Sequence, residues 1–465
     1  MAELHDLTAL EQAAAIRRRE VSPRELVDHC ADRIARLDPQ VGAFVTLTLD
    51  AARAQAAGPL ADSPLAGVPT AVKDLTLTAG VPTQFGSRAF TGFVPQVSDT
   101  VVERLRAAGT ISLGKTNVPE LGLPCYTESD LAPPARNPWD LALSAGGSSG
   151  GAAAAVAAGL VPVAHGSDGG GSIRIPASVC GLVGLKTARG RISGGPVNAD
   201  VTGLGVHGPL ARTVRDAAAL LDVLAGPEPG DPHWAPPPAE PFLAACDRPP
   251  GQLRIGRTRT TLFDDAPVHP HVVAAYEQAS ALLAGLGHDV EDVALPYGPE
   301  LRPAFEVVWS VSAAGSPVPP ERESLLRPLT RWLRGRGRAF SATQFTAALA
   351  ALQLAARAGV RATRAYDVLL LPTLAQPPAP VGAFSADAEP AEDFARQVRW
   401  TPFTALFNTT GQPAISLPLS VSPDGLPIGV MLVGRPADEV TLLRLSAQLE
   451  DAAPWRDRHP PLWPA

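Results

Sequence analysis

The apolar positions of this chain change period several times along its length. Leu26, Cys30, Ile34 and Leu37 recur at helical spacing and share one face. Two polar starts belong to the same stretch. Thr8-x-x-Glu11 and Ser22-Pro23-x-Glu25 each read as a capping box, the second with proline in the first helical position. The pattern predicts a helical arm over about residues 1–50. Residues 68–72 then form a short β-like run that ends on Lys73. Ser98 is placed to cap a helix reaching Ala108, and residues 109–114 read as a strand. Residues 152–159 are almost pure alanine and predict a small-residue helix, followed by a buried strand over 160–164. Thr213 caps a further helix. Residues 253–257, 271–286 and 288–295 alternate as strand, helix and strand, and 366–373 is a buried-type strand. Two more strands, 414–419 and 427–433, flank the turn sequence Pro423-Asp-Gly425, and a helix through Glu450 closes the pattern.

One stretch has no period. Residues 225–251 are rich in proline and read as a surface linker. A chain of 465 residues suggests about two to three domains by length alone. No linker here is long enough to separate independent units, and there is no internal repeat. The 45% hydrophobic content suits a large core. A net charge of −7 speaks against nucleic acid as a partner. No apolar run approaches the roughly 18 residues of a membrane crossing, so no membrane partner is expected. The start Met1-Ala-Glu-Leu-His is acidic and lacks a signal-peptide pattern. Cys30, Cys125, Cys180 and Cys246 are widely spaced with no CxxC, which points to reduced thiols and a cytoplasmic protein.

The basic residues sharpen the picture. Of 39, only Lys73, Lys115 and Lys186 are lysine. Arginine supplies positive charge but cannot deprotonate in a protein, so a lysine retained in this background is a candidate amine. Lys73, at the end of an apolar strand, takes that role; packing accounts for Lys115 and Lys186.

The candidate chemistry lies in two glycine-rich loops, Ser144-Ala-Gly-Gly-Ser148-Ser149-Gly-Gly151 and Gly166-Ser-Asp168-Gly-Gly-Gly-Ser172-Ile-Arg174. Three glycines before a serine can aim several N–H donors at one point beside a hydroxyl, as acyl transfer requires. The two loops, with Ser148 preceding Ser172 by 24 positions, resemble the signature of the amidase signature family of serine hydrolases. The variant at 167–178 resembles the branch that holds the 6-aminohexanoate cyclic-dimer hydrolases. The resemblance is strong over 60–215, clear over 366–455 and weak between. Lys186-Thr-Ala departs from the family's usual Lys-Pro-Thr.

The resemblance implies an α/β fold: one large domain with a mostly mixed central sheet covered by helices. It implies an amidase with Ser172 as nucleophile, Ser148 as bridging serine on a cis peptide bond and Lys73 as base. The N–H groups of Gly169, Gly170, Gly171 and Ser172 would hold the oxyanion. Asp168, Arg174 and Ser149 would support the loops. Cys125, Tyr126 and Trp309 are candidates for the substrate pocket, and the segment 300–340 would shape it. The arginines of 331–338 read as a solvated face or as a site for an acidic substrate group. No cofactor or metal is implied: there is no H-E-x-x-H, and His269 and His271 are the only close histidine pair. The partner is a small-molecule amide, with a homodimer as the implied assembly.

Rival readings remain at this point. A histidine base at His165 or His207 would make a serine–histidine triad. A nucleotide-binding protein would use the glycine loops differently, but neither fits G-x-x-x-x-G-K-[ST]. A glutaminase subunit of a tRNA-amidating complex, or an amide-forming acyltransferase, would use the same residues.

Overall fold

The computed structural model describes residues 3–261, 266–298, 300–384 and 389–464. The first two residues of the expected helical arm lie outside the described residues. A small sheet joins β1 (Phe44–Leu47), β2 (Pro69–Lys73) and β3 (Ile111–Thr116), with β3 central, antiparallel to β1 and parallel to β2. A two-stranded ribbon of β4 (Arg136–Asn137) and β5 (Asp140–Ser144) leads into the first glycine loop.

The large sheet has eight strands. They are β6 (Val163–Asp168), β7 (Val183–Lys186), β8 (Val206–Ala211), β9 (Arg254–Arg257), β10 (Asp289–Asp292), β11 (Val368–Pro372), β12 (Ala414–Val421) and β13 (Pro427–Gly434). Their order is β10-β9-β11-β13-β12-β7-β8-β6. The pairs β10–β9 and β9–β11 are parallel and the remaining pairs antiparallel, so the sheet is mixed as expected.

The continuous apolar runs have a simple cause: both faces of this sheet are covered. Val368 and Leu370 of β11 face one core together with Val430 and Leu432 of β13. Leu369 and Leu371 face the other, together with Met431 and Val433. Helices Val214–Leu224, Pro270–Gly285 and Glu439–Ala452 cover the first face. Leu301–Gly315 and Ala342–Ala362 cover the second. The alanine helix, Gly150–Ala157, is buried on every side, and its side chains, none larger than that of Val156, let it pack close to its neighbours.

Both capping boxes form, at Thr8 and Ser22. The expected cap at Ser98 does not. The helix is Thr100–Ala107 with Asp99 at its N-cap, and Ser98 Oγ instead accepts the Ala79 N–H. The strand expected at 160–164 lies further on, as β6. Its polar second half pairs with β8 through Ser167 opposite His207. The proline-rich segment does not divide the fold. Phe242 and Ala245 of its short helix are buried, and Arg104 donates to the carbonyls of Leu224 and Gly226. No single helix among the described residues is long and apolar enough to cross a membrane. The bent pair Pro328–Ala339 and Ala342–Ala362 meets that length and composition only when joined.

Candidate active site

Lys73 is the last residue of β2, a strand buried at all five positions. Thr70 of the same strand donates to the Val163 carbonyl, which holds β2 against β6. That alignment brings Lys73 Nζ to 2.9 Å from Ser148 Oγ and to 2.9 Å from the Ser167 carbonyl oxygen, to which it donates.

Ser148 and Ser172 sit in loops just before two helices, Gly150–Ala157 and Arg174–Cys180. The Gly147–Ser148 peptide bond is cis. The first loop runs tight against other backbone. A Cβ on Gly147 would lie 2.7 Å from the Tyr126 carbonyl carbon, and one on Gly151 2.4 Å from the Asn117 nitrogen. The two loops are tied together by Ser149. Its N–H donates to the Ser172 carbonyl at 3.1 Å, and its hydroxyl donates to the Ser167 carbonyl at 3.1 Å.

The second loop is fixed by a buried ion pair. Arg174 Nε and Nη2 donate to the two Asp168 oxygens at 3.0 and 2.9 Å. Asp168 also accepts the N–H groups of Gly171 and Ile173. The Gly171 N–H is therefore spent on the loop itself, which corrects its place among the oxyanion donors. Asp168 does not take the N–H groups of Gly169, Gly170 or Ser172. Asn408 Nδ2 donates to both the carbonyl and the carboxylate of Asp168, and Arg174 donates to the Thr404 carbonyl. Sequence reasoning missed Asn408 and Thr404. No local signal marks them: both lie in the short run Phe403-Thr-Ala-Leu-Phe-Asn408, and their partners are more than 200 positions away.

Burial pushes the Lys73 ammonium down to about 7, against the opposing charge of Asp168. Asp74, the next residue, turns away: its carboxylate lies 3.0 Å from Lys115 Nζ. Burial alone would raise Asp168, but Arg174, Lys186 and Asn408 outweigh it and hold the carboxyl well below the usual range. His165 and His207 face each other, with Nε2 of the first 2.9 Å from Nδ1 of the second. Among the described residues neither bonds to Ser148 or Ser172, so the serine–histidine alternative lacks its contact. Cys125 is buried, and burial with the Asp393 charge pushes its thiol well up, which disfavours the thiolate that a cysteine nucleophile needs.

Ser172 stands where two cavities meet. One, of about 290 Å³, mixes polar and apolar groups and includes Ser148, Gly169, Arg189, His207 and Asp231. The other, of about 80 Å³, is lined by Cys125, Gly170, Phe305, Trp309 and Phe394. Trp309 borders both and stacks on Phe305 with ring centroids 5.6 Å apart. Tyr126 does not reach Ser172. Its hydroxyl donates to Asp393 at 2.9 Å, its ring stacks on Phe384, and it borders a separate cavity. The arginines of 331–338 serve the protein's own acceptors: Arg334 and Arg338 pair with Glu323, and Arg336 with Glu306.

The pattern of the family described as Amidase matches residues 25–443. A 6-aminohexanoate-cyclic-dimer hydrolase of Paenarthrobacter ureafaciens is 39% identical over 478 residues, covering 98% of this chain and 96% of its own. A putative amidase of Synechocystis sp. is 38% identical over 458 residues, covering 96% and 88%. A solved structure of 6-aminohexanoate cyclic dimer hydrolase complexed with substrate aligns with a TM-score of 0.92 at 36% identity, over 99% of this chain and 100% of that one. The chain belongs to the amidase signature family, and it is an amidase.

Proposed function

We propose that this amidase cleaves its substrate through an acyl-enzyme on Ser172, with Ser148 as bridge and Lys73 as base. The contact between a fully buried Lys73 amine and the Ser148 hydroxyl supports this reading more than any other observation. A serine hydroxyl is a weak nucleophile and needs a base. The neutral amine takes the Ser148 proton, and Ser148 takes the proton of Ser172 as its Oγ attacks the amide carbonyl. The N–H groups of Gly169, Gly170 and Ser172 stabilise the oxyanion by about 3 kcal/mol per donor. The relay then returns a proton to the leaving amine, and water releases the acyl group. Every step uses the chain's own residues.

The two cavities support a substrate amide with an apolar group on one side of the scissile bond and a larger group that carries polar atoms on the other. The cyclic dimer of 6-aminohexanoate heads the panel to be assayed, followed by linear aliphatic and aryl amides. The free thiols of the cysteines fit a reducing compartment, and the cytoplasm is the proposed location. A fluorophosphonate probe mapped by mass spectrometry should label Ser172; an adduct on Ser148, Ser149 or Cys125 would overturn the assignment.

A further inference from the structure

One polar group in the wall of the larger cavity has no part in the relay. His207 lies on β8 opposite Ser167 and lines the cavity that holds Ser148 and Ser172. Its Nδ1 is 2.9 Å from Nε2 of His165, a residue with no solvent exposure. Among the described residues, His165 Nδ1 is buried without a hydrogen-bond partner.

These contacts favour one placement of the protons. A neutral imidazole carries one N–H and one lone pair. If His207 Nδ1 donated to His165 Nε2, His165 would carry its own proton on Nδ1, a buried donor with nothing to receive it. If His165 Nε2 donates instead, its Nδ1 keeps only a lone pair. Orphaned buried N–H groups are rarer than under-satisfied acceptors, so the second arrangement is favoured. His207 Nδ1 then accepts, and the His207 proton resides on Nε2, on the far side of the ring from His165.

We propose that His207 Nε2–H is a substrate-recognition donor for a second carbonyl or carboxylate oxygen, carried on the part of the substrate that fills the larger cavity. The favoured substrates are therefore amides with a hydrogen-bond acceptor beyond the scissile group. Burial and the Lys73 charge push the His207 ring down to about 4, so it meets that acceptor as a neutral donor. The neighbouring Arg189 is a poorer candidate. Its Nε donates to the Gly203 carbonyl and its Nη2 to the carbonyls of Asn408 and Thr409.

The substrate role rests on the amidase mechanism proposed above; the proton placement does not. Long-range proton–nitrogen spectra of nitrogen-15-labelled protein, assigned with His165→Gln and His207→Gln, should show both rings protonated on Nε2. Protonation of His207 on Nδ1 would overturn the inference. Kinetics on two matched amides, one with a distal carbonyl and one with methylene in its place, form the second arm. The wild type should favour the carbonyl-bearing amide by about tenfold in kcat/KM. His207→Gln, which keeps a donor near the Nε2 position, should retain most of that preference, and His207→Phe should lose it. The same preference in a folded His207→Phe protein would overturn the role. Failure of the wild type to cleave any amide would instead overturn the mechanism proposed for the site, and the substrate role with it.

Discussion

The proposed relay requires Lys73 to act as an amine in a protein whose positive charge is otherwise almost all arginine. With its ammonium lowered to about 7, kcat/KM should be low in acid and rise with pH through an apparent value near 7. Lys73→Arg keeps the charge but cannot give up a proton, so it should abolish amide turnover in a steady-state assay. Near wild-type amide hydrolysis by that variant would reduce the lysine to a packing element. The two adjacent serines separate in the same way. Ser148 is the one within 2.9 Å of Nζ, whereas Ser149 ties the loops together. Ser148→Ala should therefore lose several orders of magnitude in kcat with its melting temperature little changed. Ser149→Ala should show a smaller loss of rate and a clear loss of stability. The opposite ranking in equally folded proteins would count against the relay.

At the scale of elements, the site is a junction of three segments far apart in the chain. β2 brings the lysine, the two glycine loops bring the serines, and the Leu406–Thr410 helix brings Asn408 to Asp168. Breaking a buried ion pair on one side costs about 3–5 kcal/mol. Arg174→Ala should accordingly destabilise the fold by roughly that amount in denaturant titration. Asn408→Ala should cost about 1–3 kcal/mol, because a buried hydrogen-bond partner of Asp168 is removed. The glycine loops were legible because close backbone approach demands glycine and leaves a dense local motif. The clamp from Asn408 was not, since nothing local in Thr404 or Asn408 announces a partner more than 200 positions away. Tyr126 illustrates the converse. It neighbours Cys125, which lines the smaller cavity, yet consecutive side chains diverge and its hydroxyl ends on Asp393.

At the scale of the molecule, strands covered on both faces were legible as apolar runs, and β11 and β13 lie close to where they were expected. β6 was misplaced because its polar half is held by pairing with β8 and by Lys73, which hydrophobic period does not report. The whole fold also carries the cost of its buried amines. Burial lowers Lys73 and Lys186 to about 7 each, from a usual value of 10.5. Above about 10.5 both states are neutral and the cost vanishes. Between about 7 and 10.5 the unfolded chain binds more protons, so stability rises with pH. Below about 7 the full cost remains. The slope is at most about 1.4 kcal/mol per pH unit for each lysine. Denaturant midpoints measured at pH 7, 8 and 9 should climb in the wild type and climb less in Lys73→Met; parallel curves would refute the account.

The burial of all three lysines, none more than 1% exposed, also changes how the protein meets reagents from outside. Its surface presents arginine guanidinium groups but almost no primary amine. Succinimidyl esters, aldehyde crosslinkers and acetyl donors should find hardly any side-chain target on the native protein. A lysine-directed protease should meet three cleavage sites that are all shut. Lysine reactivity in this chain is therefore a gauge of unfolding: labelling at Lys73, Lys115 and Lys186 should begin together when the structure opens, and should stay silent before it does.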